Sequence, residues 1–189
     1  MHLTRQVFSF SLFLSSFWTL QVSANELSTV EQKAATCFVC HGDKGQSGDA
    51  QWPSLAAQQS VYIVKQLNAY KTGDRANSVM QAQTNKLTAE DINNYGAYFA
   101  VQQPAKMGGG NPALIKQGKE KATVCLGCHG ANGEGNGEFP RLAGQHPEYL
   151  AEQLARYKDG VRKNGAMQAI AGNLSEDDME ALAAFFGSL

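Results

Sequence analysis

The sequence is poor in the features that mark several common protein classes. It has no excess of positive charge, because 16 lysines and arginines face 17 aspartates and glutamates in 189 residues. A nucleic-acid-binding domain would show a basic patch or stripe, so the composition favours no nucleic acid as a partner. No stretch shows convincing alternation of apolar and polar residues, the pattern that predicts β-strands. Hydrophobic residues make up 43% of the chain, which is typical of a globular protein.

Cysteine is also scarce, and all four copies are used in two short motifs. Residues 37–41 read Cys-Phe-Val-Cys-His, and residues 125–129 read Cys-Leu-Gly-Cys-His. Two cysteines separated by two residues and followed at once by histidine form the attachment signature of c-type haem. The thiols add to the two vinyl groups and the imidazole reaches the iron. The motifs therefore predict two covalently bound haem c groups. The attachment cysteines and iron-binding histidines are Cys37, Cys40, His41, Cys125, Cys128 and His129.

The Cys-x-x-Cys spacing has two other common uses besides haem attachment. Two such pairs can form a four-cysteine zinc site, or each can act as a redox-active dithiol. A zinc ribbon usually brings its pairs together across about 15–20 residues, whereas here Cys40 and Cys125 lie much farther apart. Neither alternative explains the histidine that follows both pairs.

The first 24 residues differ from the rest of the chain. Arg5 is their only formal charge, and an apolar run over residues 7–20 is followed by Val-Ser-Ala ending at Ala24. This order is typical of a secretory signal peptide, so we predict cleavage between Ala24 and Asn25. An uncleaved membrane anchor is disfavoured, because a span needs about 20 apolar residues and serines interrupt this run. Export fits c-type haem, which is attached outside the cytoplasm, and indicates a periplasmic protein.

The chain contains one module written twice. The segment Pro-Ser-Leu-Ala-Ala-Gln at 53–58 matches Pro-Arg-Leu-Ala-Gly-Gln at 140–145, an offset of 87 residues. Such self-similarity indicates a duplication, so each functional residue has a twin that tests it. Further matched pairs are Tyr62 and Tyr149, Gln66 and Gln153, Arg75 and Arg162, and Met80 and Met167. We predict domains over residues 25–101 and 112–189, joined by a Pro- and Gly-containing linker over 102–111.

Each half is predicted to be α-helical, with helices joined by Gly-rich loops. A capping-box pattern starting at Ser28 predicts a helix running into Cys37, and Asn111 followed by proline predicts one toward Cys125. Amphipathic helices are expected at about 59–71 and 147–158. The last helix of each half is capped by Thr88 or Ser175. Their core-facing residues are expected to be Ile92, Tyr95, Ala97 and Phe99, and Met179, Leu182, Phe185 and Phe186.

A methionine sulfur is the expected second axial ligand of each iron, because histidine–methionine ligation raises the potential of an electron carrier. Met80 and Met167 recur at equivalent positions in stretches that read as polar loops. A lone methionine could equally fill a gap in a core, but recurrence favours the ligand interpretation. Met107 and Met179 lack methionine twins, and we assign them to the surface or the core. His146, whose twin is Gln59, is expected on the surface.

Prolines and tyrosines of the repeat have expected supporting roles. An iron-binding imidazole normally donates its free N–H to an acceptor that fixes its orientation, and a backbone carbonyl near Pro53 or Pro140 could accept it. The alternative for these prolines is a simple turn. Tyr62 and Tyr149 either pack on haem or bond its propionates, or they belong to an ordinary core.

Taken together, the paired haem motifs, Pro-x-Leu-Ala-x-Gln segments, methionines and export signal resemble the cytochrome c4 family over residues 25–189. The resemblance implies an all-α protein of two tandem class I cytochrome c domains related by a pseudo-twofold axis, with haems facing each other across the interface. It implies electron transfer from a quinol-oxidising complex to a terminal oxidase. The family's iron ligands fall on His41, Met80, His129 and Met167, and its histidine-orienting proline on Pro53 and Pro140.

The function expected from the sequence is outer-sphere electron transfer by a monomer, rather than enzymatic catalysis. The rivals are a di-haem peroxidase-like enzyme and a gas-binding haem sensor, each of which needs one open iron. Both methionines remain in the repeat and no recognisable output domain is attached, so both rivals are disfavoured. The sequence leaves open whether the protein associates peripherally with a membrane.

Overall fold

The structure, a computed structural model, describes residues 24–108 and 110–189, so the predicted signal peptide lies outside it except for Ala24. Within those ranges the chain forms nine α-helices, and the β-type pairing found there is an isolated bridge between Asn136 and Phe139. The all-α prediction is confirmed. The helices are α1 (Ala24–His41), α2 (Ser60–Thr72), α3 (Ser78–Thr84), α4 (Ala89–Ala100), α5 (Pro112–Lys121), α6 (Thr123–His129), α7 (Pro147–Lys158), α8 (Gly165–Ala171) and α9 (Glu176–Gly187).

The two halves repeat one packing arrangement, and each has its own apolar core. In the first half α4 packs on α1 and α2, and α2 also contacts α3; in the second, α9 packs on α5 and α7, and α7 contacts α8. The buried core residues of the first half are Ala34, Ile63, Tyr95, Tyr98 and Phe99. Those of the second are Ala122, Leu150, Leu182, Ala183, Phe185 and Phe186.

The helices that carry the haem motifs differ from their predicted bounds. Helix α1 begins at Ala24, so the expected start at Ser28 is wrong: that residue already lies within the helix. In the second half the expected single helix is divided into α5 and α6. The break falls at Ala122, whose ψ of −11° leaves the regular helical range and whose carbonyl accepts bonds from the N–H groups of both Cys125 and Leu126.

The terminal helix of each half is capped as predicted, with a reciprocal capping box at Thr88 and at Ser175. All four expected core residues of α9 are buried. In α4 the expectation for Ala97 is wrong, because this residue is exposed. The buried face of α4 contains Ile92, Tyr95 and Phe99 at helical spacing, and Ala97 lies on the other side of the helix.

The connection between α4 and α5 is packed against both halves. Gln46 in the first half donates its side-chain N–H to the carbonyl of Gln103, at 3.1 Å. In the second half the buried Ala105 lies so close to Gly144 that a Cβ atom there would be 2.1 Å from the Ala105 carbonyl oxygen. Gly144 has a φ of +72°, so both its conformation and this contact require glycine.

Candidate functional site

A cavity of about 1200 Å³ lies between the two halves and is lined by both. A pocket for one small molecule usually measures about 300–1000 Å³, so this space exceeds what one such ligand needs. The ten residues predicted to bind haem all line it: Cys37, Cys40, His41, Pro53, Met80, Cys125, Cys128, His129, Pro140 and Met167. Met107 and Met179 do not line it. The fold therefore brings both copies of the repeated motif to one shared space.

Each motif histidine is held by a backbone carbonyl. Nδ1 of His41 lies 2.8 Å from the carbonyl oxygen of Pro53, and Nδ1 of His129 lies 2.8 Å from that of Pro140. Because a carbonyl only accepts, Nδ1 carries the proton, and Nε2 is left with the lone pair that a metal needs. Burial lowers the pKa of both imidazoles, and the bond to the proline carbonyl opposes only part of that effect. At neutral pH both rings are neutral, the form that ligates iron.

The motif cysteines lie in the last turns of α1 and α6, immediately before these histidines. Their spacing of three residues places both thiols of a motif on one helical face. All four are free of disulfides, and burial raises the pKa of Cys37 and of Cys125. Nowhere in the described chain do three or more His, Cys, Asp or Glu side chains cluster as a metal site would require. This arrangement argues against the four-cysteine zinc site.

Met80 and Met167 lie in the short helices α3 and α8, so the expected loops are wrong. The reason is an asparagine cap before each methionine. The Asn77 side chain accepts the N–H of Met80 at 2.9 Å, and that of Asn164 accepts the N–H of Met167 at 3.1 Å. Asparagine is among the strongest N-cap residues, and it starts a helical turn at each methionine. Both methionines remain partly buried beside the cavity.

Two buried arginines form a closed ring of hydrogen bonds across the interface, which the sequence analysis did not assign. Arg75 and Arg162 are only 8% and 5% exposed. Each guanidinium donates to the side-chain oxygens of both Gln66 and Gln153. Arg75 lies 2.8 Å from each of these oxygens. Arg162 lies 2.9 Å from that of Gln66 and 2.8 Å from that of Gln153. The repeat shows that these positions correspond, but a local pattern does not indicate partners in the opposite half.

The tyrosines of the repeat complete this ring. The hydroxyl of Tyr149 accepts from Arg75 at 3.0 Å, and that of Tyr62 accepts from Arg162 at 2.6 Å. Both tyrosines line the cavity, and each bonds the arginine of the other half. They are interface residues rather than members of either apolar core.

No carboxylate of the described residues balances the charge of this ring. None of the ion pairs found among the described residues includes Arg75 or Arg162, so two cations lie buried without a carboxylate. A buried charge without a counter-ion is costly, and carboxylates entering the cavity would relieve that cost. Haem carries two propionate carboxylates. The volume, the neutral Nε2 atoms and the unpaired guanidinium groups therefore fit the predicted group.

An aromatic ring stands beside each motif histidine, a further feature that sequence reasoning missed. Trp52 and Phe139 meet His41 and His129 edge to face, with ring centroids 6.3 Å apart and planes at 74° in both halves. Each of these residues directly precedes the matched proline, so the repeat alignment contained the signal.

His146 is buried, at 5% exposure, and the surface assignment is wrong. Its Nε2–H donates to the carbonyl oxygen of Ser47, 3.1 Å away in the other half. The acceptor belongs to a segment 99 residues away in sequence, so local pattern could not indicate the burial.

Comparison with known proteins matches residues 31–108 and 115–189 to the sequence model of a family described as cytochrome c. Cytochrome c4 of Pseudomonas aeruginosa is 34% identical over 88% of this chain and 90% of its own. The thiosulfate dehydrogenase electron acceptor of Stutzerimonas stutzeri is 32% identical over 82% of this chain and 80% of its own. Among solved structures, reduced recombinant cytochrome c4 from Pseudomonas stutzeri superposes with a TM-score of 0.79. It is 34% identical and covers 86% of this chain and 98% of that one.

Proposed function

Because this chain belongs to the cytochrome c family, and within it to the cytochrome c4 group, we propose that it carries electrons between respiratory complexes through two histidine- and methionine-ligated haems. It is a di-haem electron-transfer cytochrome of two tandem cytochrome c domains, with covalently bound haem c. The family membership establishes that coarse function. The ligands, the location and the partners are the proposal.

The proposed axial ligands are His41 and Met80 for the first haem and His129 and Met167 for the second. The proposed thioether links use Cys37, Cys40, Cys125 and Cys128, and Pro53 and Pro140 orient the histidines. One observation carries this assignment: both histidines present a neutral Nε2 while a proline carbonyl holds Nδ1 at the same 2.8 Å. An arrangement built twice at equivalent positions supports a shared role.

When bound, each haem iron supplies one-electron exchange between Fe(II) and Fe(III). The side chains around the cavity then do the rest. The methionine thioethers favour the reduced iron, and the histidines are kept neutral and fixed. Arg75 and Arg162 offer their guanidinium groups to the propionates and so tie both cofactors to the interface. Placing both sites in one cavity shortens the path between them.

We propose a periplasmic location, with the mature protein starting at Asn25. Its domains would span 25–101 and 112–189, joined by the linker 102–111, and it would act as a monomer. The signal-like residues 1–24 support export. Among the described helices, none is long and apolar enough to span a bilayer.

The proposed donor is a quinol-oxidising complex and the proposed acceptor is a terminal oxidase, as the cytochrome c4 resemblance implies. A second donor is favoured by one comparison. A relative that covers 82% of this chain is named a thiosulfate dehydrogenase electron acceptor, so a thiosulfate dehydrogenase is an alternative source of electrons. Reduction of the purified protein by each candidate donor distinguishes them.

The rival functions, peroxidase-like catalysis and gas sensing, need one iron that a small ligand can reach. The two halves have the same arrangement at the proposed methionine ligand. Met80 and Met167 both follow an asparagine cap and both line the cavity. This equivalence supports two closed sites and hence outer-sphere transfer.

The experiment that tests the proposal is haem content per chain, followed by carbon monoxide addition to the reduced protein. We expect two covalent haems and no spectral change. Met80→Ala and Met167→Ala should each lower the potential of its own haem and admit carbon monoxide there. Met107→Ala, outside the cavity, serves as the methionine control. Carbon monoxide binding by the unmodified protein, or an unchanged potential in either ligand variant, would contradict the assignment.

A further inference from the structure

The last residue of each Pro-x-Leu-Ala-x-Gln segment reaches into the opposite half. Gln145 accepts the N–H of Ser54 through Oε1 at 2.8 Å and donates from Nε2 to the carbonyl of Ser54 at 2.9 Å. Gln58 makes the same two bonds with Arg141, at 2.7 and 3.0 Å. In each half, a glutamine side-chain amide thus bonds both the N–H and the carbonyl of one residue in the opposite half.

The residue bonded in this way, Ser54 or Arg141, directly follows the proline that orients the histidine. The carbonyl of Pro53 and the N–H of Ser54 belong to one planar peptide group. His41 bonds the carbonyl end of that group at 2.8 Å, and Gln145 bonds its N–H end at 2.8 Å. The peptide group is therefore held at both ends, by a histidine of its own half and a glutamine of the other.

We call this chain of hydrogen bonds, from histidine through the peptide group to glutamine, the relay. The second half repeats the relay with the roles of the halves exchanged. His129 bonds the carbonyl of Pro140, and Gln58 bonds the N–H of Arg141 in the same peptide group. Chained hydrogen bonds polarise one another, so an acceptor on the N–H makes the carbonyl a stronger acceptor for the imidazole. A stronger acceptor at Nδ1 raises the basicity of the ligating nitrogen.

Burial keeps water from replacing these bonds. Gln58 and Gln145 are 8% and 6% exposed, and Ser54 is 6% exposed. Each glutamine oxygen also accepts the N–H of the next residue, Gln59 at 3.0 Å or His146 at 3.1 Å. The orientation of each amide is thereby fixed at the start of α2 or α7.

We propose that Gln145 is a positioning residue for His41 and Gln58 for His129, so that each half tunes the axial histidine of the other. This inference rests on the proposed function, in which these histidines bind iron. Removing the glutamine weakens the bond at Nδ1 and makes the imidazole a poorer donor. Since the better donor stabilises the oxidised iron, its loss raises the potential of the haem in the opposite half.

The test is a redox titration of the haem-loaded full chain carrying Gln145→Met, a change of similar size that removes both bonds to Ser54 and the bond to the N–H of His146. The two potentials are assigned to their halves through the Met80→Ala and Met167→Ala variants. We expect the potential of the first-half haem to rise by up to about 59 mV, which corresponds to about a tenfold change in the one-electron redox equilibrium. The potential of the second-half haem should change less. Gln58→Met should give the mirror result.

Gln117→Met, at an exposed position on α5, controls for the substitution itself and should move neither potential. A shift confined to the half that carries the glutamine variant, or no shift, overturns the inference. Failure of the proposed function would instead appear in the unmodified protein, as carbon monoxide binding to reduced iron.

A second measurement needs no variant and guards against misfolding. Native-state hydrogen exchange should show the amide of Ser54 strongly protected in the unmodified protein, because its acceptor is the buried Gln145 side chain. Exchange as fast as that of exposed loop amides would overturn the relay.

Discussion

Replacing Gln153 by alanine should weaken the interface between the two halves, because this residue joins the buried arginines. Its amide oxygen accepts one hydrogen bond from Arg75 and one from Arg162, both at 2.8 Å. Those donors come from different halves, so one truncation removes one contact across the interface, to Arg75, and one within the second half, to Arg162. Gln66 has the same double role at 2.8 and 2.9 Å.

The magnitude follows from the charge on the donors. A hydrogen bond to a charged group contributes about 1.5–3 kcal/mol, so two lost bonds would cost at most about 6 kcal/mol. Each guanidinium retains the other glutamine and a tyrosine hydroxyl as acceptors. We therefore expect the lower end, a loss of about 3 kcal/mol in the free energy of unfolding. Gln66→Ala should cost a similar amount. The double variant should deviate from additivity, because both glutamines serve the same donors.

The assay is equilibrium denaturation of the haem-loaded protein, followed by far-ultraviolet circular dichroism and haem absorbance. Two probes are needed because a two-domain chain need not unfold in one step. Gln117→Ala, an exposed glutamine-to-alanine change on α5, is the matched control. If Gln153→Ala loses no more stability than this control, the ring contributes nothing to the interface and the reasoning is wrong.

Two further predictions concern the second half. Gly118→Ala should destabilise the protein by about 1–3 kcal/mol or more, because the added Cβ would lie 1.9 Å from the carbonyl oxygen of Ala181 on α9. The measurement is thermal unfolding. Gly48→Ala, which adds a Cβ in open space, is the control. Hydrogen bonds from Lys121 and the Ser175 cap lower the pKa of Asp178 to about 2. Its stabilising effect is then complete above its ordinary pKa of 3.8 and is lost as pH falls through about 2. Asp178→Asn should lower the melting temperature at neutral pH, and the gap should close between about pH 4 and pH 2; a gap independent of pH would contradict it.

Local patterns were sufficient for most of the helices. The terminal helices α4 and α9 were predicted with their capping boxes because capping uses residues three apart in sequence. The same local reasoning fails for Met80 and Met167, because polar composition predicts a loop there whereas an asparagine cap starts a short helix. The lesson is that a seven-residue helix has too little periodicity to be seen without its cap.

For the candidate site too, features set by neighbouring residues in sequence could be predicted and contacts between distant residues could not. The attachment motifs are local, so Cys37 to His41 and its twin were visible at once, and so was the need for an acceptor near each proline. Contacts across the interface were not visible, because they join residues 73 to 100 positions apart. The repeat showed that Arg75 and Arg162 correspond, but correspondence gives no indication of whether two residues are neighbours.

The pseudo-twofold relation explains why a residue without a matching twin can still have a repeated role. Gln59 donates from Nε2 to the carbonyl of Glu134 at 3.0 Å, and His146 donates from its own Nε2 to the carbonyl of Ser47 at 3.1 Å. Each donor has moved 87 positions along the chain, and so has each acceptor. An interface built on a twofold axis contains every contact twice, and here both acceptors are backbone carbonyls, which any residue supplies. A glutamine can therefore become a histidine without loss of the bond, provided that the imidazole keeps its proton on Nε2. Duplication has conserved the hydrogen bond rather than the residue, so comparison of residue types alone placed His146 on the surface.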